Sequence, residues 1–300
     1  MLESVVGYFK MNDVKFKVNQ LLKNYSSVSI GGMADIIAFP NETKQLCQTI
    51  DFLKDAQISN KIFGRMTNVL PSDHSYHGVV VKTDGLSGLD IKDNVINAEV
   101  GISLPLLSIK ALNCGLSGLE ELSGIPGSLG GAVYGNAGAF GREIAELVTT
   151  IICYDKIHRK NVILSNNDCK FSYRTSYFKE NGLIPLKVTL SLTKSDSNNI
   201  KKRMDECREI RRLTQPVGVK SLGSTFKRVS SGTSAAKLVD SCGLKGYTLG
   251  GAKVSEKHAG FIINTGTASA ADYIGVMEHT KKIVKQKFDI VLEEEIEIFN

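Results

Sequence analysis

A run of glycines near the middle of the chain constrains the fold more than any other feature. Between Gly124 and Gly141, seven of eighteen residues are glycine. Fixing glycine costs conformational entropy, so such a run is favoured where the backbone turns with positive φ or where amide groups closely approach a ligand. We predict packed, irregular loops here, neither helix nor strand ladder, that bind a ligand carrying phosphates. A tight structural turn or a glycine-rich linker is the alternative.

The length of the chain predicts more than one compact core. Single cores stop growing at about 250–300 residues, and this chain has 300. Its 42% hydrophobic and 23% charged residues are typical of globular proteins. No apolar run approaches the roughly 20 residues that span a bilayer, and the N-terminus lacks the regions of a secretory signal. We therefore expect a cytoplasmic protein that makes no membrane contact.

Charge and side-chain types narrow the function classes. The 37 basic residues exceed the 31 acidic ones by six, yet no basic run is interleaved with aromatic residues. We therefore expect no nucleic acid as a partner, and favour a small polyanion such as a nucleotide sugar or a dinucleotide. The six cysteines form no Cys-x-x-Cys pair and the five histidines have no zinc-ligand spacing, so we predict reduced thiols and no metal.

Strands and helices alternate in the first part of the chain, as in α/β lobes that bind ligands at strand ends. Strands are predicted at 36–39 and 78–83, with a helix after Asn41 between them. A further strand from Lys61 leads into Gly64-Arg65-Met66-Thr67-Asn68. This segment is a second candidate phosphate loop, and a polar turn is the alternative.

Further patterns divide the chain into three parts. The second part contains predicted strands at 95–100, 148–154, 161–164 and 186–192 and a helix that Ser103 caps. The polar segment 195–199 precedes a helix that opens the third part. The predicted boundaries are 1–85 and 86–197 for two lobes of one domain, and 198–300 for a smaller domain.

An arginine between two tyrosines is the first candidate for chemistry downstream of the glycines. Tyr173 and Tyr177 flank Arg174 in a segment rich in hydroxyl groups. This pattern suits a guanidinium held over a carboxylate or a ring carbonyl. A surface cation stacked on one of the two rings is the alternative.

A serine and a row of glutamates are the other candidates. Ser224 follows a glycine but lacks a Gly-x-Ser-x-Gly elbow, which argues against an acyl-transfer nucleophile and leaves a phosphate-binding or structural turn. Near the C-terminus, strand alternation puts Glu293, Glu295 and Glu297 on one face. They indicate either an acid catalyst or an exposed edge strand protected by charge.

These motifs, in this order, resemble the UDP-N-acetylenolpyruvoylglucosamine reductase (MurB) family. The resemblance runs from about Ser26 to Phe299. It is carried by the glycine-rich core with Asn136-Ala-Gly-Ala, by Tyr-Arg-x-Ser-x-Phe-Lys at 173–179, by Gly-Ser-x-Phe-Lys at 223–227 and by Leu-Glu-x-Glu-Ile at 292–296. Two departures stand out, since Met66 replaces a glycine of the phosphate loop and Val229 replaces a common proline.

The resemblance implies an α+β fold. A two-lobed FAD-binding domain of the vanillyl-alcohol-oxidase and p-cresol methylhydroxylase kind is followed by a smaller α+β substrate-binding domain. The chain passes from Lys179 directly to the next strand, without the extra segment that bears a substrate-clamping tyrosine in one subgroup. It therefore looks like the shorter, second type of the family.

The resemblance also implies the roles of individual residues. Arg174, Ser224 and Glu295 are the expected catalytic residues. The expected FAD contacts are Gly64, Asn68, Gly124, Gly127, Ser128, Gly130, Gly131, Asn136 and Gly138. The expected substrate contacts are Tyr173, Arg212, Lys227 and Arg228. Arg212 also belongs to a basic cluster of the kind that usually forms a solvated helix face, and His258 is read as a packed side chain more readily than as a ligand contact.

The implied reaction is the reduction of UDP-N-acetylglucosamine enolpyruvate to UDP-N-acetylmuramate by NADPH through FAD, in peptidoglycan precursor synthesis. The expected protein is a monomer. A flavin oxidase of related fold is one alternative. A non-catalytic binder of nucleotide sugars or phosphates is another, motivated by Met66 and Val229.

Overall fold

The computed structural model describes residues 2–229 and 232–300. Its eight α-helices are α1 (Leu2–Met11), α2 (Thr43–Asp55), α3 (Leu104–Asn113), α4 (Leu129–Tyr134), α5 (Phe178–Asn181), α6 (Ser197–Thr214), α7 (Ala235–Ser241) and α8 (Ala270–Phe288) in this described part of the chain. Single 3₁₀ turns lie at Leu22–Asn24, Thr83–Gly85, Ile144–Glu146 and Asn167–Cys169.

The strands are short and numerous. The first ten are β1 (Lys15–Leu21), β2 (Met33–Phe39), β3 (Asn60–Phe63), β4 (Val69–Pro71), β5 (Tyr76–Lys82), β6 (Leu89–Lys92), β7 (Val95–Glu99), β8 (Leu116–Ser117), β9 (Gly138–Ala139) and β10 (Arg142–Glu143). The others are β11 (Val148–Asp155), β12 (Lys160–Ser165), β13 (Ile184–Ser191), β14 (Thr193–Lys194), β15 (Ser221–Ser224), β16 (Thr248–Leu249), β17 (Ala252–Val254), β18 (Phe261–Asn264) and β19 (Glu297–Phe299).

The chain folds into two compact units, and neither is continuous in sequence. Unit 1 consists of the residues up to Val18 together with Ile36–Arg65 and Gly78–Glu209. Unit 2 consists of Asn19–Asp35, Met66–His77 and Ile210–Asn300. The three-part division at residues 85 and 197 stays a prediction.

Unit 1 holds a large apolar core beneath two sheets. A sheet of order β1-β2-β5-β3 contains a parallel pair in which Asn60 of β3 lies opposite Val79 of β5. The second sheet is antiparallel, with the order β12-β11-β13-β7-β6. The alternation of buried and exposed residues in β13 packs one face of this sheet on the core and leaves the other face to solvent. Helix α3 begins where Ser103 Oγ accepts the amide of Leu106 at 3.3 Å.

Unit 2 has its own core around helix α8. This core contains Tyr273, Val276 and Val284 of the helix. A four-stranded antiparallel sheet of order β15-β18-β17-β16 belongs to the same unit. Ser269 and Asp272 form a capping box at the start of α8, and the carboxylate of Asp73 accepts the amides of Ala270 and Ala271 at 2.8 and 3.1 Å.

Two sequence expectations about elements are wrong. The glycine-rich segment does contain a helix, α4, because Ser128 caps it and the glycines only weaken helical propensity. The strand expected over the last eleven residues is limited to β19.

A helix that crosses a membrane must be both long and apolar. Among residues 2–229 and 232–300, no helix is both long enough and apolar enough to cross a membrane.

Candidate functional site

In unit 1 the glycine-rich segment lies directly against the loop that begins at Gly64. A Cβ atom on Gly64 would lie 2.3 Å from Ser128 Oγ, so only glycine allows this approach. Gly130 also packs closely on Val100, where a Cβ would lie 2.9 Å from the valine Cβ. The two predicted cofactor loops are therefore adjacent through Gly64 and Ser128.

Several amides of the glycine-rich segment donate to protein oxygens. The amides of Leu129 and Gly130 donate to the carbonyls of Ile102 and Val100 at 2.9 and 2.8 Å. Gly131 donates to Ser128 Oγ at 3.3 Å. These hydrogen bonds fix the start of α4, so these three amides already have protein acceptors.

Other glycines leave room for a ligand. A Cβ on Gly131 would meet only Ser128 Oγ at 3.5 Å, and one on Gly135 only the Gly131 carbonyl at 3.6 Å, which are ordinary contacts. Gly131 is exposed and neither residue has positive φ. Protein packing does not explain these two glycines, whereas close approach of a flat or phosphate-bearing group does. The site therefore fits a dinucleotide such as FAD.

The remaining predicted cofactor glycines lie in turns of unit 1. Gly124 is exposed, and Gly127 accepts the amide of Leu104 at 3.0 Å. Gly138 belongs to the hairpin β9–β10, where a Cβ would lie 2.8 Å from the carbonyl of Arg142. The turn of this hairpin has positive φ at Phe140 and Gly141, which is the geometry of a type I′ turn.

Asn136 is a buried junction in unit 1. Its Nδ2 donates to Glu143 Oε2 at 2.7 Å and to the Ser172 carbonyl at 3.0 Å, while Oδ1 accepts the amide of Ala145 at 3.2 Å. The side chain therefore ties the glycine-rich segment to the segment that carries Arg174. Its φ of +41° is tolerated by asparagine better than by most residues.

Arg174 is fixed against the glycine-rich segment. It lies in a two-residue turn between Ser172 and Thr175, whose amides and carbonyls pair at 3.1 Å in both directions. Its Nη2 donates to the Gly138 carbonyl at 2.9 Å, and a longer contact of 3.4 Å joins Nη1 to the Asn136 carbonyl. The guanidinium also lies 5.1 Å from the ring centre of the exposed Tyr173. The guanidinium of Arg174 is thus stacked on Tyr173, as in the alternative reading, and is also held in a fixed orientation by the Gly138 carbonyl.

Two of the positions singled out in the sequence, one in each unit, have a strained backbone. Arg174 has φ of +56° and Met66 has φ of +49°, a conformation that costs a non-glycine residue about 1–3 kcal/mol. Met66 is buried and stands where the family pattern has glycine. The backbone of this position is therefore the one that glycine favours, although the residue is methionine.

In unit 2, Ser224 follows a β-bulge. Gly223 has φ of +82°, and the register between β15 and β18 shifts between Ser221 and Ser224. Ser224 is half-buried, and within the described residues no hydrogen bond of its hydroxyl is found. A hydroxyl that structural bonds do not consume remains able to donate to a ligand.

Glu295 lies in the same unit between two hydrogen-bonding partners. Its amide donates to the carbonyl of Thr225, the residue after Ser224, at 2.8 Å. Its carbonyl accepts from Asn68 Nδ2 at 2.9 Å, and the Asn68 carbonyl accepts the amide of Glu297 at 2.9 Å. Unit 2 therefore brings Ser224, Glu295 and Asn68 together, and the predicted cofactor residue Asn68 holds the backbone of the predicted acid.

The row of glutamates is only partly an edge strand. Strand β19 pairs in parallel with β4, Glu297 opposite Val69. Burial raises the pKa of Glu294, but the hydrogen bond from Lys281 and the charges of Lys281 and Lys227 outweigh it, so the pKa lies below its ordinary value. Lys281 Nζ lies 2.6 Å from Glu294 Oε1, so Glu294 is an ionised structural partner and not a candidate acid.

The predicted substrate residues of unit 2 are basic and accessible. Lys227 Nζ lies 3.3 Å from Glu293 Oε2, and Arg228 is exposed. Arg212 lies on the exposed side of α6, and its carbonyl accepts from Lys257 Nζ at 2.5 Å. His258 packs edge-on against Phe261 at 4.8 Å, and its Nδ1 accepts the amide of Gly260 at 3.2 Å. Burial lowers the pKa of His258.

Sequence reasoning missed Lys82. This lysine ends the apolar strand β5, and only 3% of its side chain is exposed. Its Nζ donates to the carbonyl of Gly64 and lies 3.1 Å from Asp84 Oδ2. A lysine at the end of a buried run of valines was the available signal, since lysine is almost never buried unless it is paired.

The fold and the two loops define a flavoprotein of the FAD-binding-domain class. A family model described as FAD binding domain matches residues 34–157. A second model, the C-terminal domain of UDP-N-acetylenolpyruvoylglucosamine reductase, matches residues 215–299. A solved alkyldihydroxyacetonephosphate synthase shares 15% identity with a TM-score of 0.51 over 64% of this chain and 40% of that chain, which shows the fold alone.

Relatives that match over nearly the whole chain identify the particular family. The UDP-N-acetylenolpyruvoylglucosamine reductase of Caldanaerobacter subterraneus subsp. tengcongensis is 42% identical over 99% of both chains. That of Clostridium novyi is 42% identical over 95% of this chain and 92% of its own. The crystal structure of the Thermus caldophilus enzyme has a TM-score of 0.81 at 30% identity and covers 96% of this chain and 99% of that one. The chain belongs to the UDP-N-acetylenolpyruvoylglucosamine reductase family.

The comparisons confirm the predicted family, the α+β fold class with its FAD-binding and C-terminal substrate-binding domains, and an oxidoreductase of the flavin-dependent kind. The individual residue roles stay predictions.

Proposed function

We propose that this chain reduces UDP-N-acetylglucosamine enolpyruvate to UDP-N-acetylmuramate, with NADPH as reductant and FAD as cofactor. The proposal places the protein in the cytoplasm, as a monomer, in the synthesis of peptidoglycan precursors. The relatives that match nearly its whole length carry the name of this reductase. The observation in the structure that best supports the chemistry is the guanidinium of Arg174, anchored to a glycine-rich segment that has room for a dinucleotide.

Residues of unit 1 would hold the cofactor. Gly64 and Ser128 keep two loops in contact, and Gly131 leaves open space beside them. A flavin held by these residues would supply hydride transfer from NADPH to the enolpyruvyl group. Gly138 and Asn136 would orient Arg174 at this position through their carbonyls.

Arg174 would stabilise the negative charge that develops next to the substrate carboxylate. A positioned cation is worth most where the charge forms, since it needs no reorganisation at the moment of reaction. Glu295 would polarise the same carboxylate as an acid, held by its backbone bonds to Thr225 and Asn68. Tyr173 would restrict the orientation of the guanidinium through its ring.

Ser224 would donate the proton that completes the reduction at the α-carbon. Its half-buried hydroxyl follows the bulge at Gly223, which is a common way to direct one side chain out of a strand. Lys227 and Arg228 follow on the same segment and would attract the phosphates or the carboxylate of the substrate, as would Arg212.

The product identifies the function. Purified protein, NADPH and the enolpyruvyl nucleotide sugar are incubated without oxygen, and the nucleotide sugars are analysed by mass spectrometry. We expect a product with two more hydrogen atoms than the substrate, formed in proportion to the NADPH consumed. NADPH consumption that needs oxygen but not the nucleotide sugar would indicate the flavin oxidase instead. A protein without flavin would indicate the non-catalytic binder.

A further inference from the structure

We propose that Lys82 is a positioning residue that orients the Gly64 peptide for binding of the flavin. The inference rests on the proposed use of FAD and adds to it a buried cation beneath the first cofactor loop. All of the residues that carry it belong to unit 1.

The position of Lys82 is set by the parallel pair of strands. Lys82 is the last residue of β5 and lies opposite Phe63, the last residue of β3. Gly64 follows at once, and its carbonyl accepts from Lys82 Nζ. Because the lysine is almost fully buried and Asp84 pairs with it, its ammonium group has little freedom to leave this carbonyl.

The hydrogen bond to Gly64 has a consequence for the next amide. A trans peptide is planar, so the carbonyl of Gly64 and the N–H of Arg65 point in opposite directions. Lys82 holds the carbonyl inward and thereby turns the Arg65 N–H away from the buried lysine. Among the hydrogen bonds of the described residues, none has this amide as donor. An amide without a protein acceptor is suited to a phosphate or another ligand oxygen.

The same peptide faces the glycine-rich segment. Ser128 Oγ lies only 2.3 Å from the position that a Cβ on Gly64 would take, so a rotated Gly64 peptide would disturb both predicted cofactor loops. Burial lowers the pKa of Lys82, the carboxylate of Asp84 opposes this, and the charge of Arg65 adds to the lowering.

A purely structural ion pair is the competing explanation. The two explanations differ in what happens when both charges are removed. A buried ion pair can often be replaced by neutral residues at no cost in stability. A structural pair therefore predicts unchanged FAD binding in a stable double variant, whereas a positioning lysine predicts a stable protein that binds FAD poorly.

The test measures FAD binding to apoprotein by quenching of flavin fluorescence, with thermal unfolding of each apoprotein alongside. We expect Lys82→Met and the double variant Lys82→Met/Asp84→Asn to raise the Kd for FAD about 10-fold or more, as expected for loss of a charged hydrogen bond. Thermal unfolding of the double variant should match or exceed that of wild type. Asp84→Asn alone leaves the buried lysine without its carboxylate partner, so this variant should unfold at a lower temperature than the double variant.

The matched control is Lys61→Met, which removes an exposed lysine from the adjacent strand β3 and should leave the Kd unchanged. A stable double variant with wild-type Kd would overturn the role of Lys82. If Lys82→Met fails to fold, the double variant decides the question alone, and if neither folds, then Lys82 is structural and the proposal is wrong. A wild-type protein that does not bind FAD would instead contradict the proposed function.

Discussion

The guanidinium of Arg174 has a geometry that lysine cannot reproduce. Its planar group contacts two carbonyls and a ring at once, and an ammonium group can only make point contacts. We expect Arg174→Lys to slow flavin reoxidation by the enolpyruvyl substrate about 100-fold or more, since charge stabilisation in the transition state is lost. Reduction by NADPH should stay near the wild-type rate.

Arg142→Lys is the control for that variant. Arg142 lies in the neighbouring hairpin and pairs at the surface with Glu146 at 2.6 Å. Rapid-mixing measurements of both half-reactions should show no change for Arg142→Lys. Equal slowing of both half-reactions in Arg174→Lys would point to a distorted cofactor site and not to a lost catalytic contact.

Ser224 is expected to act in one half-reaction only. Removing a proton donor typically costs about 10²–10⁴ in rate, so Ser224→Ala should nearly abolish reoxidation by substrate while NADPH still bleaches the flavin. Ser221→Ala, three residues earlier in β15, should leave both half-reactions intact. If Ser224→Ala retained wild-type reoxidation, another group would have to supply the proton.

Residue identities were easier to predict than residue partners. Motifs predicted Arg174, Ser224 and Glu295 as candidates, because residue types at fixed spacing are visible in a single chain. Their partners come from distant segments. The contact of Asn68 with Glu295 and that of Arg174 with Gly138 depend on strand register and loop packing, which no local pattern encodes. The acceptor of Lys82 likewise lies 18 residues earlier in the chain, although the lysine itself stands out at the end of a run of valines.

At the scale of elements, Asn68 joins the end of the loop that begins at Gly64 to the segment that carries Glu295. Loss of its amide in Asn68→Ala should lower the free energy of unfolding by about 1 kcal/mol. It should also slow reoxidation by substrate more than reduction by NADPH, because the Glu295 backbone loses its partner. Urea denaturation and rapid mixing measure the two effects. A loss of stability with both half-reactions unchanged would mean that the contact is structural only.

The turn between β11 and β12 should make the stability of the fold depend on pH. Hydrogen bonds from the side chain and the backbone of His158, and from the backbone of Ile157, lower the pKa of Asp155 to about 2. The unfolded value is about 3.9, so the ionised carboxylate stabilises the fold above that pH, and the stabilisation is lost as the pH falls towards 2.

The comparison of wild type with Asp155→Asn checks this sign. In urea denaturation, the variant should be less stable at pH 7, and the difference should shrink as the pH is lowered below about 4. A difference in the free energy of unfolding that stays constant over this range would contradict a role for the charge.

Regular elements were predicted well where periodicity was strong, as in α2, β11 and β13. The glycine-rich segment was not, because α4 is stabilised by the Ser128 cap and by bonds to Val100 and Ile102. The C-terminal alternation predicted a long strand, but a partner exists only for β19. Strand length depends on the partner as much as on the pattern.

At the scale of the whole molecule, two cores divide the chain in a way that sequence order conceals. Segments 19–35 and 66–77 belong with the C-terminal part, and Val28, Ile30 and Leu70 are buried in its core. A sequence read from one end to the other predicts contiguous parts, because nothing local shows that a segment leaves one core for another.

The central claim is that electrons pass from NADPH through a bound flavin to the enolpyruvyl nucleotide sugar. Anaerobic stopped-flow absorbance in the flavin band tests it most directly. The account predicts that NADPH bleaches the band and that only the enolpyruvyl nucleotide sugar restores it. A colourless protein, or a flavin that NADPH bleaches and the nucleotide sugar fails to restore, would contradict the account.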